Sequence, residues 1–156
     1  MNLPNLNNLA AIGKIQKESF SMTSLLVRLD QVKHRVNTAE KLLKNNDYND
    51  EAVYISAYSE LYNSFRILCE IMLAVGGYRT TNQPGHHETT LASIRLTLDD
   101  ETLDPVYLRL IRIGKKRNGL EYGGKFDISS HEMAQMLADV QLVLVKVSQQ
   151  VKINSR

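Results

Sequence analysis

Apolar residues recur along most of this chain at the three- and four-residue steps of an α-helix. Leu25, Leu29, Val32, Val36, Ala39 and Leu43 make one such stripe, with polar residues left for the opposite face. Ser21 or Thr23 can cap its start, and Asn45, Asn46, Asp47 and Asn49 end it. Asp50 caps a second long run, Tyr54, Tyr58, Leu61, Phe65, Leu68, Met72 and Val75. Tyr62, Cys69 and Ile71 widen that stripe, so this helix should meet neighbours on more than one side. Gly76 and Gly77 stop it, because glycine tolerates the left-handed conformation that helix ends favour.

Tyr78 to His87 reads as a polar loop with a Pro-Gly turn, followed by a short helix from Thr90 to Leu98 with Leu91, Ile94 and Leu98 on one side. Asp99, Asp100, Glu101 and Asp104 then lead into a helix whose first turn holds Pro105, an arrangement that suits both the helix dipole and the missing proline donor. Its stripe is Val106, Leu110, Ile113, Arg117 and Leu120, and Gly123 and Gly124 break the chain after it. Caps within Asp127 to Ser130 open a last helix with Met133, Leu137, Val140, Leu144, Val147 and Val151 inward, and the tail Lys152 to Arg156 reads as loose. Residues 1–20, rich in asparagine and broken by Pro4 and Gly13, form a short helix or a frayed arm. Residues 21–153 are expected to be one all-α domain, a bundle of four to five helices without strands. Its two long N-terminal helices should lie antiparallel, as should its last two.

Composition narrows this without changing it. A chain of 156 residues can bury a core without staples. Its formal charge of +2 does not announce a nucleic-acid binder, although a mild total can conceal a local patch. A lone cysteine, Cys69, excludes a disulfide framework within the chain and suits a reducing cytosol. No stretch approaches the ~18 apolar residues of a membrane span, so the expected setting is cytoplasmic, with no membrane partner. The adjacent His86 and His87 lack a companion carboxylate or thiol cluster, so no metal site and no cofactor are expected.

One segment concentrates chemistry. Arg109 to Gly124 reads RLIRIGKKRNGLEYGG, in which Arg109, Arg112, Lys115, Lys116 and Arg117 fall within nine positions without an acid among them. Helical spacing separates Arg117, on the inward stripe, from the other four. A buried guanidinium requires a partner, a cleft or an interface where its fork meets anions. Cations near a helix C-terminus are also favoured for structural reasons alone, so helix-end chemistry is the competing reading. Four of the seven tyrosines, Tyr48, Tyr54, Tyr58 and Tyr62, could stack on bases, but aromatic residues at helical spacing more commonly build core. Phosphate loops, zinc-protease helices and nucleophile elbows are all missing from the sequence.

Arg117 and Asn118, with Tyr122 at the shortest spacing, resemble the hallmark of the HEPN superfamily: an arginine, often followed by a polar residue, then four to six residues to a histidine. Ile12-Gly13-Lys14 and Gly77-Tyr78-Arg79 at their places, with a final helix after the motif, carry the resemblance over most of the chain. It implies a two-fold homodimer of a toxin-antitoxin or defence module, in which two motifs meet across a cleft and cleave RNA without metal. Arg117, Asn118 and Tyr122 would occupy the catalytic positions, and Arg112, Lys115, Lys116 and Arg79 would contact phosphates. Tyrosine in place of histidine departs from that pattern. With an ordinary pKa of about 10 a phenol is a poor base at neutral pH, which argues for impaired or different catalysis and favours binding of RNA or a nucleotide. His131, in the first turn of the last helix, reaches the site only if the fold brings that turn over it. A second reading makes the protein a non-catalytic partner of a separate nucleotidyltransferase antitoxin, with Tyr122 accepting a nucleotidyl group. A third is a structural helical interaction protein in which Arg117 and Glu121, four apart, pair within the bundle.

Overall fold

The computed structural model describes residues 1–45, 50–116 and 126–154. Within them the chain forms six α-helices, and the two longest stripes fold as their spacing requires. Helix α2 spans Met22–Lys44 and buries all six of its stripe residues, Leu25 to Leu43; Ser21 caps it through Ser24 N–H. Helix α3 spans Glu51–Val75, capped by the Asp50 carboxylate on Ala52 N–H at 3.0 Å. Ion pairs Arg28–Glu70 and Arg35–Glu60 (2.9 Å) join early α2 to late α3 and later α2 to earlier α3, so the two run antiparallel.

The breadth of the α3 stripe has the consequence expected of it: α3 is the central mast, buried from Tyr54 to Ala74 on several faces. Each large apolar side chain so buried contributes about 1.5–3 kcal/mol. Tyr54, Tyr58 and Tyr62 lie in this core, with Tyr58 and Tyr62 stacked, and Tyr48 lies outside the described residues. Cys69 is fully buried, which pushes its thiol well above the ordinary value and leaves it an inert core residue.

The first twenty residues are more ordered than a frayed arm, and two strands stand where none was expected. Helix α1 (Leu3–Ala11) leads through Gly13 (φ 72°) into β1 (Ile15–Lys17). Strand β1 pairs antiparallel with β2 (Tyr78–Thr80), Gln16 opposite Arg79. Three residues per strand are too few for alternation to register in a sequence. Leu6 and Ile15 join Leu73 and Tyr78 in a second apolar cluster. Polar anchors complete it: Tyr78 Oη donates to Asn7 Oδ1 at 2.6 Å, and Asn2 N–H to the Leu96 carbonyl at 2.7 Å.

Helix α4 begins at His86, one turn before Thr90, and runs to Leu98. The added turn, His86 to Thr89, buries no residue and so leaves no apolar stripe, while further along the inner face Thr90 and Ser93 are buried by donating to the carbonyls of His86 (2.8 Å) and Thr90 (2.6 Å). A 3₁₀ turn, Glu101–Leu103, precedes α5 (Asp104–Lys115), and α6 spans Ser130–Asn154, so the helix takes in much of the tail read as loose. The inward residues of α6 are Met133, Met136, Val140, Val143, Val147 and Val151; Leu137 and Leu144 flank this stripe half-buried. Among the described residues, no helix is long and apolar enough to cross a membrane.

Candidate functional site

Helix α5 is fixed to the mast on its inner side. Val106, Leu110 and Ile113 are buried, and Tyr58 Oη donates to the Ile113 carbonyl at 2.9 Å. Gly114 lies so close to Tyr62 that an added Cβ would come within 2.8 Å of the ring, so only glycine lets the last turn of α5 settle there. This packing aims the basic residues of α5 toward α6 and solvent.

Four of those residues are described, and they divide into two kinds. Arg109 forks onto Asp139 of α6, with Nε and Nη2 each 2.8 Å from a carboxylate oxygen, and Gln135 adds a third bond at 3.0 Å. Asp139 is buried and Arg109 half-buried, so this bidentate pair is a structural clamp, and the carboxylate raises the guanidinium pKa. Lys116 donates to the Asp127 carbonyl (2.7 Å) and to Glu132 (3.0 Å), holding the start of α6. Glu132 also accepts from Ser129 N–H at 3.0 Å while Ser129 Oγ accepts from Glu132 N–H at 3.2 Å, a reciprocal capping box. The Ser129 amide first, and Lys116 second, hold the Glu132 carboxyl below the usual glutamate range. Early α5 thus pairs with later α6 and late α5 with early α6, which makes them antiparallel.

Arg112 and Lys115 are the other kind. Both are exposed, and no carboxylate among the described residues forms an ion pair with either. Between the helices runs a groove of about 170 Å³ lined by Arg109, Arg112, Lys116, His131, Glu132 and Asp139 over a floor of Leu110, Ile113 and Met136. His131 is therefore beside the basic end of α5. Its sequence distance from that segment concealed this, and only the antiparallel register of α5 and α6 reveals it.

The expected site residues are not all brought together. Arg79 sits in β2, ion-paired to Glu18, and does not line this groove. Arg117, Asn118 and Tyr122, with Glu121, lie outside the described residues. His86 opens α4 with its ring 3.9 Å from that of His87. The chain matches no family model, no curated protein and no solved structure.

Proposed function

We propose that the protein is a HEPN-like RNA- or nucleotide-binding protein of a toxin-antitoxin or defence module, acting as a homodimer and using the basic end of α5 for phosphates. The observation that carries the reading is the division of cations on α5. Asp139 and Glu132 are already bonded to Arg109 and Lys116, while Arg112 and Lys115 remain exposed with no carboxylate among the described residues paired to them. An unneutralised guanidinium and ammonium on one helix end supply the charge-assisted contacts that phosphates take. Arg117, Asn118 and Tyr122 follow directly in the chain and are assigned the centre of the site on the resemblance of their spacing.

The test is equilibrium binding of a labelled single-stranded RNA bearing a 5′-hydroxyl, measured across salt concentrations. Binding should weaken steeply with salt, and Lys115→Ala should lower the slope of log K against log salt by about one, because a strand held by one cation fewer displaces one counterion fewer. Absence of salt-sensitive binding, or a slope unchanged by Lys115→Ala and by Arg112→Ala, removes the reading. Incubation with total RNA then separates binding from cleavage: a ribonuclease would lose its activity in Arg117→Ala.

A further inference from the structure

The α5–α6 groove has a composition more specific than a basic surface. Among the described residues, three cations and two carboxylates line it, and both carboxylates are already matched, Asp139 to Arg109 and Glu132 to Lys116. Arg112 is the charge left over among the described residues. His131 stands at the same groove without an ion-pair partner among the described residues, offering a ring N–H. The groove also opens at the N-terminal end of the 25-residue helix α6, whose dipole adds positive potential there.

Size narrows the ligand. At about 170 Å³ the groove is well below the roughly 300–1,000 Å³ of sites that enclose a whole small molecule. Its buried floor of Leu110, Ile113 and Met136 is apolar, and Gln135, which also lines the groove, already donates its amide N–H to Asp139. What fits is a compact anion held at the mouth by donors, with the remainder of its molecule outside. A terminal phosphate carries about −1.5 to −2 charges at pH 7 and three acceptor oxygens, against a single charge on a bridging phosphodiester. The terminal group brings the greater charge and one more free oxygen to Arg112 and His131, and its one ester bond leads away from the groove.

We propose that Arg112 of α5 and His131 of α6, which line the same groove, bind the terminal phosphate of an RNA or mononucleotide. The inference rests on the phosphate-binding reading above and adds to it a preference for phosphorylated ends. Arg112 supplies a bidentate fork and His131 a single donor, while Lys115 contacts the backbone of the strand outside the groove without regard to its end.

Two measurements test it. The first compares a single-stranded RNA carrying a 5′-phosphate with the same RNA carrying a 5′-hydroxyl. The wild type should bind the phosphorylated form about tenfold more tightly, the scale of a hydrogen bond to a charged group. The preference should fall to within about twofold in Arg112→Ala and shrink in His131→Ala. Equal affinity for the two ends in the wild type, or a preference that survives Arg112→Ala, overturns the proposal even if RNA binding itself stands. The second measurement needs no RNA: inorganic phosphate is titrated while the histidine ring resonances are followed by NMR. A saturable shift at His131, absent in Arg112→Ala and absent at the exposed His34 of α2, is expected. No saturable shift at His131 sinks the pocket whatever the RNA result, whereas a shift in a protein that fails to bind hydroxyl-ended RNA removes the strand-binding reading and leaves the phosphate site.

Discussion

Two grooves share helix α5, and they differ in nearly every respect that bears on function. At its start, between α1 and α4, lies the larger one, about 620 Å³, with Leu9, Ile12, Ala92 and Leu96 among its lining and the carboxylates of Glu88, Asp99, Asp100, Glu101 and Asp104 around them. At its end lies the α5–α6 groove, about a quarter of that volume and lined by cations. Acids at a helix start and bases at its end both stabilise the dipole, so segregation of charge along α5 alone implies no function. The distinction is in what remains after local pairing. Asp104 is held by Arg95 (2.9 Å), Asp100 by Lys146 (3.2 Å) and Asp99 by the Met1 amino group (3.4 Å), and among the described residues the charges left over are the exposed carboxylates of Glu88 and Glu101, offset in part by the half-buried Lys14. At the other end the surplus among the described residues is a guanidinium and an ammonium, those of Arg112 and Lys115. A polyanion is repelled by the first remainder and attracted by the second, which makes the smaller groove the candidate for phosphate despite its size.

The contrast is broken most strongly at the clamp. Arg109→Met leaves the Asp139 carboxylate buried with only Gln135 to bond it, and should cost about 3 kcal/mol in urea denaturation. The double variant Arg109→Met, Asp139→Leu should recover most of that loss, because replacing both partners leaves no orphaned charge. Persistence of the full loss in the double variant would mean that α5 and α6 are held by something other than this pair.

A smaller effect is expected at the capping box. Glu132→Ala removes the acceptor for Ser129 N–H and the partner of Lys116, worth up to about 1 kcal/mol after solvent screening. Because the folded protein depresses this carboxyl, its contribution is complete above the ordinary glutamate pKa and is lost as pH falls through the lowered value. Stability curves of wild type and variant should therefore differ at neutral pH and converge in acid. A gap that stays constant with pH would show that Glu132 acts through packing alone.

The least effect belongs to the acidic groove. Glu88→Gln combined with Glu101→Gln should raise RNA affinity by no more than about twofold at physiological salt, where exposed charges are screened over about 8 Å. A larger gain would place the strand across both grooves and dissolve the contrast between them.

Much of the fold was legible in advance because helical periodicity reports burial directly. The six stripe residues of α2 and the wide face of α3 are buried as their spacing demands, and Asp50 and Ser21 cap where their side chains allow. The β1–β2 pair was not legible, since it joins two three-residue segments through long-range backbone bonds that leave no side-chain period. The first turn of α4 was obscured for a different reason: none of its residues from His86 to Thr89 is buried, so it adds nothing to an apolar stripe.

The site divides along the same line. By itself the sequence determined that α5 ends in a dense run of cations and that the motif-like residues Arg117, Asn118 and Tyr122 follow, because both are properties of contiguous residues. It could not determine which of those cations are spent. Arg109 meets Asp139 and Lys116 meets Glu132 across separations of 30 and 16 residues, and His131 comes to Arg112 only through the antiparallel register of two helices. Neutralisation is a matter of three-dimensional pairing, and only the tertiary structure separates Arg109 and Lys116, which bind this protein to itself, from Arg112 and Lys115, which no carboxylate among the described residues pairs.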